Sequence, residues 1–214
     1  MWGCWTLALL SLFSSSLAAG DLESWNYAEL KVVHASRVDL GLEGALFVRD
    51  SFSDLFDRRV SVRADVHLKK LDVVGGYLIR RRDYEGFEDL KFDQRLVGGV
   101  SYPLFEHVLS LQGYTAYERV VGRPDRRDYN RYRQIFSWQQ HRRGVSPFVQ
   151  SGFLWERSGF VRYRVRAGLD LPAGGRSRMR IGYQFDSTRA DGAYHPRHVL
   201  YAKFTFGRAL INRN

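Results

Sequence analysis

In three stretches of the chain, every second residue is apolar and the residues between are polar or charged. Val161, Tyr163, Val165 and Ala167 alternate with Arg162, Arg164 and Arg166. Met179, Ile181, Tyr183 and Phe185 alternate with Arg178, Arg180, Gln184 and Asp186, and Val60 to Leu68 alternates with Arg59, Ser61, Arg63, Asp65 and His67. A period of two means an extended strand with two unlike faces; a helix would scatter the same arginines around its circumference. The rhythm predicts eleven strands, at 25–34, 37–49, 58–68, 71–82, 90–102, 106–119, 129–140, 146–156, 160–171, 176–187 and 197–206. Short turns fall at 34–36, 69–70, 103–105, 143–144 and 172–175, with longer polar loops at 82–89, 121–128 and 187–194. Strands of this length, joined by short turns on one rim and long loops on the other, describe an all-β, antiparallel, up-and-down transmembrane β-barrel of ten to twelve strands. Single-chain bacterial barrels have even strand numbers, so the pattern implies either one bent strand counted twice or an extra strand within 50–57 or before Trp25.

The face expected to meet lipid carries Val38, Leu40, Leu42, Leu46, Val48, Val60 to Leu68, Leu71, Val73, Tyr77, Ile79, Leu96, Val100 and Tyr102. Val161, Tyr163, Val165, Leu169, Leu171, Leu200, Ala202, Phe204 and Phe206 complete it, and Tyr183 and Tyr201 read as lipid-facing or girdle residues. Aromatics at strand ends (Trp25, Tyr27, Tyr102, Trp138, Trp155, Phe160) fit girdles at headgroup level. The opposite face collects charge. A soluble sandwich or lipocalin-type barrel would reverse the two faces, which leaves a soluble periplasmic β-barrel binding an acidic ligand as one alternative.

The first twenty residues have no charged side chain, hold the apolar run Trp5 to Leu10, and end on small residues through Gly20. This reads as a cleaved signal peptide, residues 1–20, ahead of a β-barrel domain, residues 21–214. Cys4, the only cysteine, leaves with it, so the mature chain has no disulfide or thiolate chemistry. Export of a chain with no apolar helix-length segment points to the outer membrane of a Gram-negative-type bacterium. The net charge is +10, and 28 of the 33 basic residues are Arg. Such a surplus attracts anions; export argues against nucleic acid and leaves membrane lipid, including outer-leaflet lipid, and small anionic solutes as partners.

Ser24-Trp25-Asn26-Tyr27-Ala28-Glu29-Leu30 resembles the opening of the domain of unknown function 2490 family. Tyr117-Glu118-Arg119 with Asp128-Tyr129-Asn130-Arg131-Tyr132-Arg133, and Arg178-Met179-Arg180-Ile181-Gly182-Tyr183-Gln184 followed by His198-Val199-Leu200, are similar to that family's later strands and ending. The resemblance covers nearly the whole mature chain through loose motifs. It implies a bacterial outer-membrane barrel and adds no mechanism. One departure is the tail: Phe204 and Phe206 are followed by residues 207–214 instead of ending the chain on an aromatic assembly signal.

The candidate site is a basic ladder on the inward face: Arg63, Arg80, Arg95, Arg131, Arg133, Arg162, Arg164, Arg166, Arg178 and Arg180. Its acidic partners are Glu29, Glu43, Asp65, Asp93, Glu118 and Glu156. Either these pair and fill a narrow barrel, giving a structural protein, or the arginines line a porin-like, anion-preferring constriction. His34 and Ser36 have the spacing of a His–Ser pair, which would make the protein an outer-membrane lipid hydrolase; no orienting acid accompanies them, and a polar turn explains them equally. His195 and His198 lack a third metal ligand. Neither a metal site nor a cofactor motif is recognised.

Overall fold

In a computed structural model the described residues are 22–35, 37–49, 54–83, 91–106, 109–124, 127–140, 144–174, 177–190, 192–206 and 211–213. They form β1 (Leu22–Ala35), β2 (Val38–Arg49), β3 (Asp54–His67), β4 (Asp72–Arg82), β5 (Lys91–Glu106) and β6 (Leu109–Val121). There follow β7 (Tyr129–Gln140), β8 (Ser146–Glu156), β9 (Gly159–Pro172), β10 (Arg178–Ala190), β11 (Ala193–Phe206) and the short β12 (Ile211–Arg213). Each strand from β1 to β11 pairs antiparallel with the next, and β11 returns to β1, closing the barrel. Residues 1–20, expected to be a signal peptide, Ser36 and most of the longer loops lie outside the described residues.

The odd strand number needs neither a merged strand nor a missing one. In an up-and-down chain of eleven strands the first and last run the same way, so they close as a parallel pair, in register from Leu22↔His198 to Leu30↔Phe206. Purely antiparallel closure is therefore corrected at this one seam. β12 continues it beyond β11, with Val33 opposite Ile211 and Ala35 opposite Arg213. Residues 54–57, in the region where an extra strand was sought, begin β3.

Two connections also differ from expectation. The turn expected at 103–105 is strand, because β5 runs to Glu106 with a register shift between Pro103 and Phe105. An irregularity of that kind is where proline is tolerated in a sheet. The loop expected at 187–194 is a tight hairpin, with Ala190 paired to Ala193 and Gly192 at φ 83°. Asp191-Gly192 is the dipeptide that favours such a turn, since it supplies positive φ at low cost. The rim carrying the loops after β2, β4 and β6 thus also carries two tight hairpins, after β8 and β10. It is called the loop rim below, and the opposite one the turn rim. β1 begins at the loop rim, while β11 ends at the turn rim.

Register assigns the faces. Val60, Val62, Val66, Ile79 and Leu96 lie outside, with Val60 and Leu96 more than half exposed (55% and 56%). Charged residues of the opposite phase point inward: Asp57 of β3, Glu118 of β6 and Asp186 of β10 are 1%, 2% and 0% exposed. Aromatics also cluster on the outer wall near the loop rim, where Trp155 lies 5.6 Å from Tyr132 and 5.7 Å from Phe160, and Phe153 lies 5.2 Å from Tyr163. Trp25, Tyr27 and Tyr201 do not belong to this belt. They face inward, where Trp25 and Tyr201 pack with Ala45, Phe47, Phe56, Phe148 and Val199, and Tyr27 lies against them. Trp25 and Tyr27 lie in the same alternation as Glu23 and Glu29, and Tyr201 in that of Val199 and Lys203, so the register decides their face and their aromatic character does not. Gly182 makes room for Tyr201, because a Cβ there would lie 3.0 Å from its ring and 2.3 Å from the Ala167 carbonyl oxygen. An aromatic ring laid over a glycine is a recurrent way of covering exposed strand backbone.

Candidate functional site

The alternation that defines the strands also carries every predicted arginine inward, and neighbouring strands bring carboxylates alongside. On β9 and β10, Arg164 is in register with Asp186, and Arg166 with Gln184. Asp186 accepts from Arg162 Nε at 2.6 Å and Arg164 Nη2 at 3.0 Å. Arg166 donates to Gln184 Oε1 and to the Tyr27 hydroxyl. Two levels toward the turn rim, beyond Gly168 and Gly182, Asp170 holds Arg178 Nε at 2.6 Å and Arg180 Nη2 at 2.8 Å. On the opposite wall Asp57 binds Arg59 at 2.7 Å and Arg80 at 2.6 Å, while Asp93 lies 3.2 Å from Arg95. Glu118 takes both Arg131 and Arg133. Arg63 pairs with Asp65 at 2.7 Å, and Lys203 sits between Glu29 at 2.6 Å and Glu43 at 2.7 Å. Glu156 is in register with Arg131. Buried charges persist only when paired and hydrogen-bonded in this way.

The residues that sequence reasoning missed are the pivots of this network. Asp57, Asp170 and Asp186 each bind two arginines, and Lys203 binds two of the predicted glutamates. Asp186 was visible in the alternation of β10, and Lys203 in that of β11. Asp57 lay before the expected start of its strand.

The inner wall is also aromatic. Arg59 lies over Phe47 at 4.0 Å, Arg180 over Phe148 at 4.4 Å, Arg164 over Trp25 at 4.9 Å and Arg166 over Tyr201 at 5.2 Å. Each ring supports one face of a guanidinium and limits its rotation.

Between these walls lies a cavity of about 1140 Å³. Its lining reaches Arg82, Asp83, Arg123 and Arg189 at the loop rim and Arg180 and Lys203 deep inside. Among the described residues, fifteen Arg or Lys and five Asp or Glu line it. Even with Asp93 and Asp186 counted behind the wall, positive charge is in excess. The guanidiniums also feel one another: Arg59 is close enough to Arg80, Arg95, Arg133 and Arg162 for like-charge repulsion. Toward the turn rim the lining ends at Arg180, which Asp170 holds together with Arg178; beyond it His67 meets Asp72 at 2.9 Å and Asp39 at 3.5 Å. The cavity is thus a vestibule, and the salt-bridged residues on its turn-rim side are called its floor.

The weaker candidates separate. Ser36 lies outside the described residues, and His34 is in register with Asp39 on β2 and Asn212 on β12. His195 lines the cavity, whereas His198 is on the outer face, hydrogen-bonded to Tyr183. These two imidazoles do not converge. No protein-family model matches the chain, and comparison with curated proteins returns no match.

Proposed function

We propose that the protein is an exported outer-membrane β-barrel with a narrow, anion-preferring interior. The carrying observation is the inversion of its faces: Val60, Leu96 and their neighbours cover the outside, while Asp57, Glu118 and Asp186 are sealed within. A soluble barrel would bury the first group and solvate the second. The aromatic belt near the loop rim fits a headgroup boundary, and the resemblance to the domain of unknown function 2490 family accords with the same location. Fifteen cationic groups among the described residues around one vestibule favour entry of anions from the loop rim. The floor of Asp170, Arg178 and Arg180 narrows or closes the exit, so conduction is small and the barrel's structural role is prominent.

Fractionation and planar-bilayer recording test this reading. The protein is expected in the outer-membrane fraction, soluble only with detergent, with small anion-selective conductance weakened by the double substitution Arg164→Glu and Arg180→Glu. Recovery in the soluble periplasm without detergent contradicts the membrane placement. Complete absence of conductance removes the passage and leaves the structural role.

A further inference from the structure

Three buried side-chain polar atoms lack a hydrogen-bond partner among the described residues: Arg164 Nε, Thr188 Oγ1 and Tyr201 Oη. All three residues line the vestibule. Beside them, among the described residues, Arg166 has only neutral hydrogen-bond partners, Gln184 and the Tyr27 hydroxyl, and Arg162 and Arg164 share the single carboxylate of Asp186. This wall therefore presents more donors and more positive charge than the described residues satisfy. Trp25 and Tyr201 back Arg164 and Arg166, so the guanidiniums are held in place before any solute arrives.

The spacing of the wall selects among anions. Arg162, Arg164 and Arg166 occupy alternate positions of one strand, so successive tiers stand about 6.6 Å apart. Asp186 is already shared between the tiers of Arg162 and Arg164, and the tier of Arg166 faces only Gln184 and the Tyr27 hydroxyl among the described residues. A short phosphoanhydride chain reaches from one tier to the next, and its tetrahedral groups offer oxygens to the forked guanidinium donors at each.

We propose that the Arg162–Arg164–Arg166 wall, with Tyr201, is a binding site for a small polyanion carrying two or more linked phosphate groups. This rests on the anion-admitting interior proposed above and adds the class of solute. The site takes its ligand from the loop rim, where the vestibule begins, and the paired floor holds it from the turn rim. Its affinity falls with ionic strength, as screening weakens each contact at the mouth.

Isothermal titration of the detergent-solubilised protein with tripolyphosphate at low salt tests the site, with circular dichroism confirming the fold of every variant. The expected result is one tripolyphosphate per chain, bound more tightly than orthophosphate or citrate. Replacing Arg164 and Arg166 together by Gln is expected to weaken binding about tenfold or more, whereas Arg119→Gln on the outer face leaves it unchanged. Should the double variant not fold, Tyr201→Phe decides, with an expected loss of about threefold or more. Absence of binding, equal affinity for citrate, or full affinity in the interior variants overturns the proposal. A protein that conducts anions yet ignores tripolyphosphate refutes this site alone; one that binds it but needs no detergent refutes the membrane placement alone.

Discussion

Asp186 shows how much one carboxylate can do inside such a barrel. It is fully buried, and two arginines of β9 converge on it. Asp186→Asn leaves both guanidiniums without their counter-charge, and removing one partner from a buried pair costs about 3–5 kcal/mol. Urea unfolding in detergent micelles checks this. Asp128→Asn, which breaks an exposed pair with Arg119 at 3.5 Å, should cost under about 1 kcal/mol in the same assay. Equal losses for the two variants would mean that the interior is solvated like the surface. The arginines were legible from alternation alone, because a period of two fixes which face each residue takes. Asp65, Asp93 and Glu118 were named among their partners, but Asp57, Asp170 and Asp186 were not, since Asp186 meets Arg164 only through the register between two strands, and register is a long-range property. Trp25 and Tyr201 were misplaced for a related reason: an aromatic residue near a strand end fits a girdle or a lumen, and only its phase relative to Glu23 or Lys203 tells which.

At the scale of elements, all eleven long strands could be read from the chain, with ends displaced by a few residues. Hairpin closure followed where turn chemistry was plain, and Asp191-Gly192 marked one that was overlooked. What the pattern could not supply was the seam. Expecting an even number treats antiparallel closure as obligatory, whereas odd parity forces β1 and β11 to run side by side in the same direction. Paired cysteines test that seam in a Cys4→Ser background. Ala28 and Phe204 are Cα partners across it, so Ala28→Cys with Phe204→Cys should form a disulfide on mild oxidation, seen as a gel shift reversed by reductant. Ala28→Cys with Leu200→Cys should not, because that pair is about 13 Å apart along the strand and a disulfide requires Cα atoms within about 7 Å. Crosslinking of the second pair and not the first would disprove the register.

For the whole molecule, the same period of two separates a lipid-compatible surface from a charged interior, and closure turns that separation into a container. Eleven strands make a barrel between those that side chains fill and those that stay open, and the interior reflects this intermediate size: an electropositive vestibule above a paired floor. Everything proposed for the vestibule depends on hydrocarbon touching the apolar face. Nitroxide labels placed one at a time along β3, in liposomes, test that most directly. Labels replacing Val60, Val62, Ala64 and Val66 should collide freely with dissolved oxygen and be shielded from a water-soluble nickel chelate, while labels at Ser61, Arg63 and Asp65 should show the opposite preference. Chelate access at Val60, Val62, Ala64 and Val66 as great as at the residues between them would contradict the account.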